Sequence, residues 1–415
     1  MADVGPIAYL TGEYPRATDT FIQREVAGLR ANGIDVFTTS IRKTGVEHLV
    51  GEEQRAEAAQ TFYILNAAKS PLRLLKCHAR ALRKSPGRYF RALALALRTR
   101  PPGLKAGLYQ LFYFAEAAVL ADHLQQNGVT HLHNHIAKAS CTVAMLMSEL
   151  SGIPYSFTLH GPDIFFEPHH WRLDEKIARA KFVACISHFC RSQAMAFSDP
   201  SHWSKLHIVH CGIEPGRYDD ASERTGGNLL FVGRLAAVKG LPVLFDALEA
   251  LHPKHPDLHV TIIGDGPDRA ALEERARALS DMVDFVGYKS QAEVAETLRR
   301  MDMLVLPSFA EGVPVVLMEA MAAGIPVVTT RIAGVPELVE NGVSGVLAPP
   351  GDAGALADAI SGLLGDADLR AKMGRAGREM VTAEFNIAHE TAWLAQILAE
   401  YQNGTQPPLR PVREG

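Results

Sequence analysis

The chain reads as an α/β protein with two Rossmann-like, doubly wound parallel-sheet domains facing across a cleft. Three observations predict this. Short β-rich runs alternate with helical stretches along most of the sequence, the signature of parallel α/β layers. At 415 residues the chain is too long for one ordinary core. Midway, the polar and turn-rich stretch EPGRYDDASERTGG, residues 214–227, suits a linker.

In the first half the β-rich runs fall at 6–10, 35–39, 129–133, 155–159, 182–186 and 206–209. Helical patterns fill the gaps at 20–32, 138–150 and 187–197. Thr20 with Gln23 fits a capping box at the start of the first helix. In the second half, strands are expected at 229–232, 259–263, 283–285, 303–306, 326–329 and 345–347. Helices are expected at 241–251, 268–279, 291–300, 315–323 and 355–364, with Pro242 suited to a first helical turn. The expected domains are 1–213, the linker 214–227, 228–384, a C-terminal amphipathic helix over 385–402, and a polar, Pro-rich tail over 403–415 that reads as disordered.

Composition narrows the function. Hydrophobic content of 47% and charged content of 21% are ordinary for soluble domains. A net charge of -4 argues against a nucleic-acid binder. Five cysteines without a C-x-x-C pair read as reduced, buried thiols rather than a zinc site. No run reaches ~18 apolar residues and no signal-peptide pattern is visible, so the cytoplasm is the expected location.

Ligands of doubly wound sheets bind beyond the carboxyl ends of the strands. Two βα junctions of the second half carry unusual chemistry there. In FVGRLAAVKGLPVL, Arg234 and Lys239 flank the loop after Gly233, beside the free amides of a helix start. That is an anion site suited to a pyrophosphate, or else two cations on a solvated loop. In LVLPSFAEGVPVVLMEAMAAG, Glu311 lies in the loop and Glu319 about two turns along an otherwise apolar helix. A carboxylate in that setting needs a partner, which a ribose diol or a nearby arginine could supply. Gly264 and Gly266 follow a strand in VTIIGDGPDRA, but Arg269 stands where the third glycine of a dinucleotide fingerprint would be, which disfavours a nicotinamide oxidoreductase. Gly287 in DFVGYKS marks a third junction.

Together, G-R-L…K-G, G-D-G-P and E-G-V-P-V-V-L-M-E resemble glycosyltransferase family 4 with its GT-B architecture. The resemblance runs over roughly the whole chain and is strongest at 229–350. It implies that Arg234 and Lys239 bind the donor diphosphate and that Glu319 holds the ribose. Glu311, with Gly312, Val313, Pro314 and Val316, would contact the donor, and backbone at Val286, Gly287 and Tyr288 would receive the base. It also implies a retaining hexosyl transfer from a UDP- or GDP-sugar, with no metal and no cofactor beyond the donor. A sugar-nucleotide epimerase of the same fold and a non-catalytic nucleotide-sugar-binding protein are the alternatives.

In the first half, His160 in YSFTLHGPDIFF lies just past a strand; the resemblance makes it the active-site histidine near the donor sugar, with Asp163 as a companion. The loop TGEYPRATDTFI lacks the family's paired glycines and resembles instead the version found in bacterial exopolysaccharide (colanic-acid-type) transferases, leaving Asp19 and Thr20 as acceptor-side candidates. HLHNHIAKAS puts His131, His133 and His135 on one strand face. A zinc site is conceivable there, but the subgroup resemblance explains the motif without metal, and His133 is taken as an acceptor-side residue. Residues 58–115 contain eleven Lys or Arg and no acid. Within 69–105 these mix with leucine and aromatics, which suits contact with an anionic membrane near a saccharide or polyprenol-linked acceptor, or a solvated helical face.

Overall fold

The computed structural model describes residues 4–16, 19–49, 51–219, 226–408 and 410. Part of the expected linker (220–225) and of the expected tail (409 and 411–415) lies outside them. The chain forms two compact units: residues up to His210 together with the segment from Glu390, and Cys211–His389.

The first unit holds a seven-stranded parallel sheet: β1 (Ile7–Tyr14), β2 (Val36–Lys43), β3 (Phe62–Tyr63), β4 (His131–His135), β5 (Tyr155–Leu159), β6 (Val183–Cys185) and β7 (Leu206–Ile208). Their spatial order is β3-β2-β1-β4-β5-β6-β7. The second unit holds six: β8 (Asn228–Val232), β9 (His259–Ile263), β10 (Val283–Gly287), β11 (Met303–Leu306), β12 (Val327–Thr330) and β13 (Gly345–Ala348), in the order β10-β9-β8-β11-β12-β13. Central strands such as MLVL and VVTT are buried along their whole length, because helices cover both faces of a parallel sheet.

In each order the progression reverses once. The reversal lies between β1 and β4 in the first sheet and between β8 and β11 in the second. Connections diverge to opposite faces at these points, which opens a crevice at the carboxyl edge. Each unit therefore has a ligand position set by topology alone.

Two local expectations are corrected. The strand expected at 129–133 sits two residues later, because the Val129 and Thr130 amides donate to Leu124 and Pro6 carbonyls before strand pairing begins. The capping box at Thr20 and Gln23 does not form: Asp19 is the N-cap, with no side-chain cap bond, and Gln23 Nε2 donates to the Arg16 carbonyl instead. A strand at Phe62–Tyr63 was not foreseen.

The C-terminal helix Ile387–Gln402 contributes Trp393, Leu394, Ile397, Leu398 and Tyr401 to the same core as Ile7, Ile22, Val26 and Phe182. Trp393 Nε1 donates to the Ile208 carbonyl at 2.9 Å, giving the buried indole its partner. Beyond it, Arg410 binds the buried Glu390 carboxylate through two nitrogens at 2.6 and 2.7 Å. All five cysteines are buried thiols outside any disulfide.

Candidate functional site

In the second unit the carboxyl ends of β8 and β11 meet at the reversal, and the charged junction residues meet with them. The loop after β8 passes Gly233 and the exposed Arg234, makes a short turn at Ala237–Lys239, and enters the helix Leu241–Leu251. Gly240 joins them at φ +66°, and a Cβ there would lie 2.1 Å from the Pro307 carbonyl oxygen, so only glycine lets the two loops approach. The Phe309 amide then donates to the Val238 carbonyl at 2.7 Å.

That approach brings Lys239 Nζ to 2.6 Å from Glu311 Oε1, an oxygen that also accepts from Ser308 Oγ at 2.7 Å. Glu311 is 8% exposed, so its charge needs these partners. The sequence assigned Lys239 and Glu311 to different parts of a donor; the fold brings them into one ion pair. Ser308, which completes it, was not among the site residues expected from the sequence.

Gly312 and Val313 lead to Pro314, the N-cap of the helix Val315–Ala322. The first amides of any helix lack intrahelical acceptors and favour an anion nearby. Val316 lies in the first turn, and Glu319 lies further along, half-buried, among Leu317, Met318, Ala320 and Met321, which are buried. The β9 junction lies alongside: Gly264 takes φ +140°, and a Cβ there would meet the Gly233 carbonyl oxygen at 1.9 Å. Leu235 and Asp265 bond through backbone at 2.9 Å, which ties the Gly266 loop to the Arg234 loop. Gly287 ends β10, its carbonyl accepting from the Gly264 amide at 2.9 Å, while Val286 and Tyr288 are 41% and 55% exposed. The four junctions thus lie together at the carboxyl edge and bring Arg234, Lys239, Glu311 and Glu319 onto elements joined by closely packed glycine backbone.

In the first unit the reversal between β1 and β4 carries a buried polar network. β4 reads HLHNH and every residue of it is buried, so its polar side chains favour protein partners; the histidines find them, whereas Asn134 bonds through Nδ2 to the Ile136 carbonyl and leaves its Oδ1 unmet. His131 Nε2 and His133 Nδ1 both meet Ser156 Oγ at 2.7 Å, and His133 Nε2 meets Thr158 Oγ1 at 2.8 Å. His135 Nε2 lies 3.0 Å from Glu25 Oε1, which also accepts from the Tyr9 hydroxyl at 2.5 Å. On its other side His135 Nδ1 lies 2.9 Å from His160 Nε2.

A carboxylate only accepts, so Glu25 places the proton of His135 on Nε2. While that ring carries a single proton, Nδ1 must accept from His160 Nε2–H. Glu25 thereby sets the orientation and tautomer of His160 through His135. Phe21 packs against the His160 ring, with centroids 4.7 Å apart. Ile136, directly after His135, adopts φ +70°, a strained conformation for a β-branched residue and one found preferentially at functional sites.

Burial pushes the His131 and His160 pKa values down to about 3, with Lys181 adding to the first and His135 to the second. Burial and His135 likewise push His133 well below its ordinary range. For Glu25, burial alone would raise the pKa; the His135 charge and hydrogen bond, His133 and the Tyr9 hydroxyl overcome it and hold it at about 2.

Glu25, His133 and His135 bring ligand atoms within 4.8 Å of one another, a spacing that could hold a metal ion. The three groups already bond to Tyr9, Ser156, Thr158 and each other, so protein partners meet their needs. The sequence reading passed over Glu25. A charged residue on the same helix face as Ile22, Val26 and Leu29 was the signal for it. Of the other acceptor-side residues, Asp163 is exposed and pairs with Lys138 Nζ at 2.9 Å. Asp19 lies 3.9 Å from Arg16, and Thr20 is buried as the first helical residue.

Residues 220–380 match the family model described as Glycosyl transferases group 1, and residues 75–217 match the one described as Glycosyltransferase Family 4. The amylovoran biosynthesis glycosyltransferase AmsK of Erwinia amylovora is 36% identical over 256 residues, which is 58% of this chain and 62% of that protein, under two thirds of its length. The putative colanic acid biosynthesis glycosyltransferase WcaL of Salmonella typhimurium is 27% identical across 94% of this chain and 99% of that protein. Among solved structures, Anabaena HepE in complex with UDP superposes with a TM-score of 0.71 at 17% identity, covering 95% and 99% of the two chains. The sucrose-phosphate synthase of Thermosynechococcus elongatus gives 0.71 at 20% identity, covering 97% and 100%. At these identities the structural likeness shows the fold, that of GT-B glycosyltransferases.

Proposed function

Because the chain belongs to glycosyltransferase family 4, we propose that it moves a hexosyl group from a nucleotide-diphosphate sugar to a saccharide or lipid-linked acceptor in exopolysaccharide synthesis. The observation that carries this reading is the Lys239–Glu311–Ser308 cluster at the β8/β11 reversal, with Arg234 exposed beside it. The UDP named with HepE supports a nucleoside diphosphate as the donor's nucleotide, and the names of AmsK and WcaL support the pathway class.

The reaction breaks the bond between the anomeric carbon and the diphosphate, so negative charge grows on the leaving group. Preorganised cations and helix-start amides lower that barrier. In the proposal Arg234 and Lys239 receive the diphosphate without a metal, and transfer proceeds with retention. On binding, Lys239 exchanges its Glu311 contact for phosphate oxygen. Glu311, still held by Ser308, then faces the sugar hydroxyls together with backbone at Gly312, Val313 and Pro314. Glu319 takes the ribose hydroxyls, and the junctions at Gly264, Gly266 and 286–288 line the base side. In the first unit, His160 takes part in the reaction, held in one orientation by His135 and Glu25.

A thermal-shift screen over UDP-, GDP- and ADP-sugars tests the donor half of this reading. One class should raise the melting temperature of the wild type, and Glu319→Ala should lose most of that rise. Equal shifts with Glu319→Ala would remove the carboxylate from the donor site.

The proposal includes a cytoplasmic location and contact with an anionic membrane face. No helix among the described residues is long and apolar enough to cross a bilayer. The helices Pro71–Lys84 and Pro86–Arg98 expose Leu72, Leu75, Phe90 and Leu97 among their basic residues. Arg80, Arg91 and Arg98 are engaged by Asp122, Glu149 and Glu175, which leaves the attraction to the others. Co-sedimentation should show binding to phosphatidylglycerol vesicles that weakens in high salt and is absent with neutral vesicles. Background binding to both would remove the membrane from the proposal.

A further inference from the structure

The β9 junction carries a cation to which the donor reading gives no task. Arg269 opens the helix Arg269–Arg275 shortly after Gly264 and Gly266, at the place of a dinucleotide fingerprint's third glycine. Its guanidinium is held on two sides: Nε donates to Glu273 Oε1 at 2.7 Å, and Nη1 donates to Asp265 Oδ2 at 3.1 Å. Asp265 is fixed in turn. Its Oδ1 accepts from the Gly266 amide at 2.7 Å and its carbonyl accepts from the Leu235 amide at 2.9 Å. A planar fork held in this way loses little freedom when it meets a further acceptor.

The fork lies over the β10 junction. A Cβ built on Gly287, which takes φ +74°, would stand 3.4 Å from Arg269 Nη1. Val286 and Tyr288 on either side are exposed, so the guanidinium borders the open backbone to which the base is assigned. The Arg269 side chain is 31% exposed, and its Nη2 donors have no acceptor among the described residues. Pairs such as Arg269–Glu273 form on many exposed helices and contribute little stability. The approach to Gly287 sets this arginine apart. Two carboxylates around one guanidinium leave the corner net negative, which suits a neutral base better than a further phosphate.

What the fork has left to offer is donors alone. The matching atom on a nucleobase is a carbonyl oxygen, O4 of uracil or O6 of guanine. Cytosine and adenine carry an amino group at the same ring position, which would set donor against donor. The geometry points to Arg269 as the residue that selects the donor's base, favouring uracil or guanine over cytosine or adenine. This inference rests on the donor reading above and narrows it from any nucleoside diphosphate to one with a carbonyl base. Backbone at 286–288 takes the ring, and the Arg269 side chain discriminates.

Isothermal titration of the full chain with UDP, CDP, GDP and ADP tests the selection. In at least one pair, UDP with CDP or GDP with ADP, the wild type should bind the carbonyl member at least about tenfold more tightly, as a hydrogen bond from a charged donor provides. Arg269→Leu should bring that ratio to within about threefold, because the charged donor is gone. Arg269→Gln, whose amide accepts as well as donates, should narrow the ratio by strengthening the amino member. Both variants should melt near the wild type, since the side chain is partly exposed and its ion pairs are surface ones. If none of the four nucleotides binds the wild type, the donor reading fails and this inference fails with it. If they bind but neither pair is separated, or if Arg269→Leu keeps the wild-type ratio, the donor reading stands and selection by Arg269 is overturned.

Discussion

Arg234→Ala is expected to lower the rate of sugar transfer by at least about 100-fold, as removal of a preorganised charge stabiliser does. The side chain is exposed at the end of the β8 junction and lies outside the core, so the variant should fold normally. The loss should fall mainly on kcat, since the leaving diphosphate carries more charge at the transition state than in the bound donor. Arg234→Lys should recover part of the rate, because a point charge replaces a fork of donors. Lys239→Ala should behave similarly for a second reason: it also leaves the Glu311 carboxylate, 8% exposed, without its counter-charge and held by the Ser308 hydroxyl. Steady-state kinetics on the folded variants decide the matter, and turnover near the wild-type level for Arg234→Ala would remove the guanidinium from catalysis.

The second large effect concerns stability. Glu25→Ala is expected to destabilise the first unit by roughly 3–5 kcal/mol, the usual cost of removing one partner from a buried charged network. It would strand the Tyr9 hydroxyl and His135 Nε2 together. Together with other buried histidines of the first unit, this network makes the protein acid-labile, and the sign follows from proton counts. Burial holds His131 and His160 at about 3, and His123 and His207 at about 4, so each stays neutral in the native state. As pH falls below about 6.5 the unfolded chain binds protons that the native state refuses, so stability drops with pH.

Below about 4.5 Glu25 adds to the loss, because its native pKa of about 2 lies under the unfolded one. Glu116 acts in the opposite sense between about 4.5 and 7, since burial raises its pKa to about 7 despite Arg42. One such carboxyl does not offset the histidines. Urea unfolding at pH 7, 5.5 and 4.5 should show a progressive fall in midpoint for the wild type. A flat profile across that range would contradict the buried, neutral assignment of the histidines.

Much of the second unit was legible because its chemistry is written at successive βα junctions. Strand ends are marked by glycines at 233, 264 and 287, and Arg234, Lys239 and Glu311 lie in the loops that follow their strands. The strand His259–Ile263 and the helices Leu241–Leu251 and Gln291–Arg300 appear with the expected limits, since apolar runs and turn residues bound them clearly. What could not be read was pairing between junctions. Lys239 and Glu311 are 72 residues apart, and only the glycine-permitted approach of two loops joins them.

The first unit was harder. Its network unites Tyr9, Glu25, His135 and His160 from four elements, and no local spacing announces that. His160 stood out through its motif, but the residues that orient it did not. The capping box failed for a comparable reason: Gln23 Oε1, the acceptor the box needs, accepts from Gln54 Nε2 instead, and Gln23 Nε2 donates to the Arg16 carbonyl.

The most direct measurement is a crystal structure of the chain with an unhydrolysed nucleotide sugar. The account predicts the diphosphate within hydrogen-bond distance of Arg234 and Lys239, with the ribose hydroxyls on Glu319. A nucleotide lodged elsewhere, with Lys239 still bound to Glu311 and Arg234 turned to solvent, would contradict it.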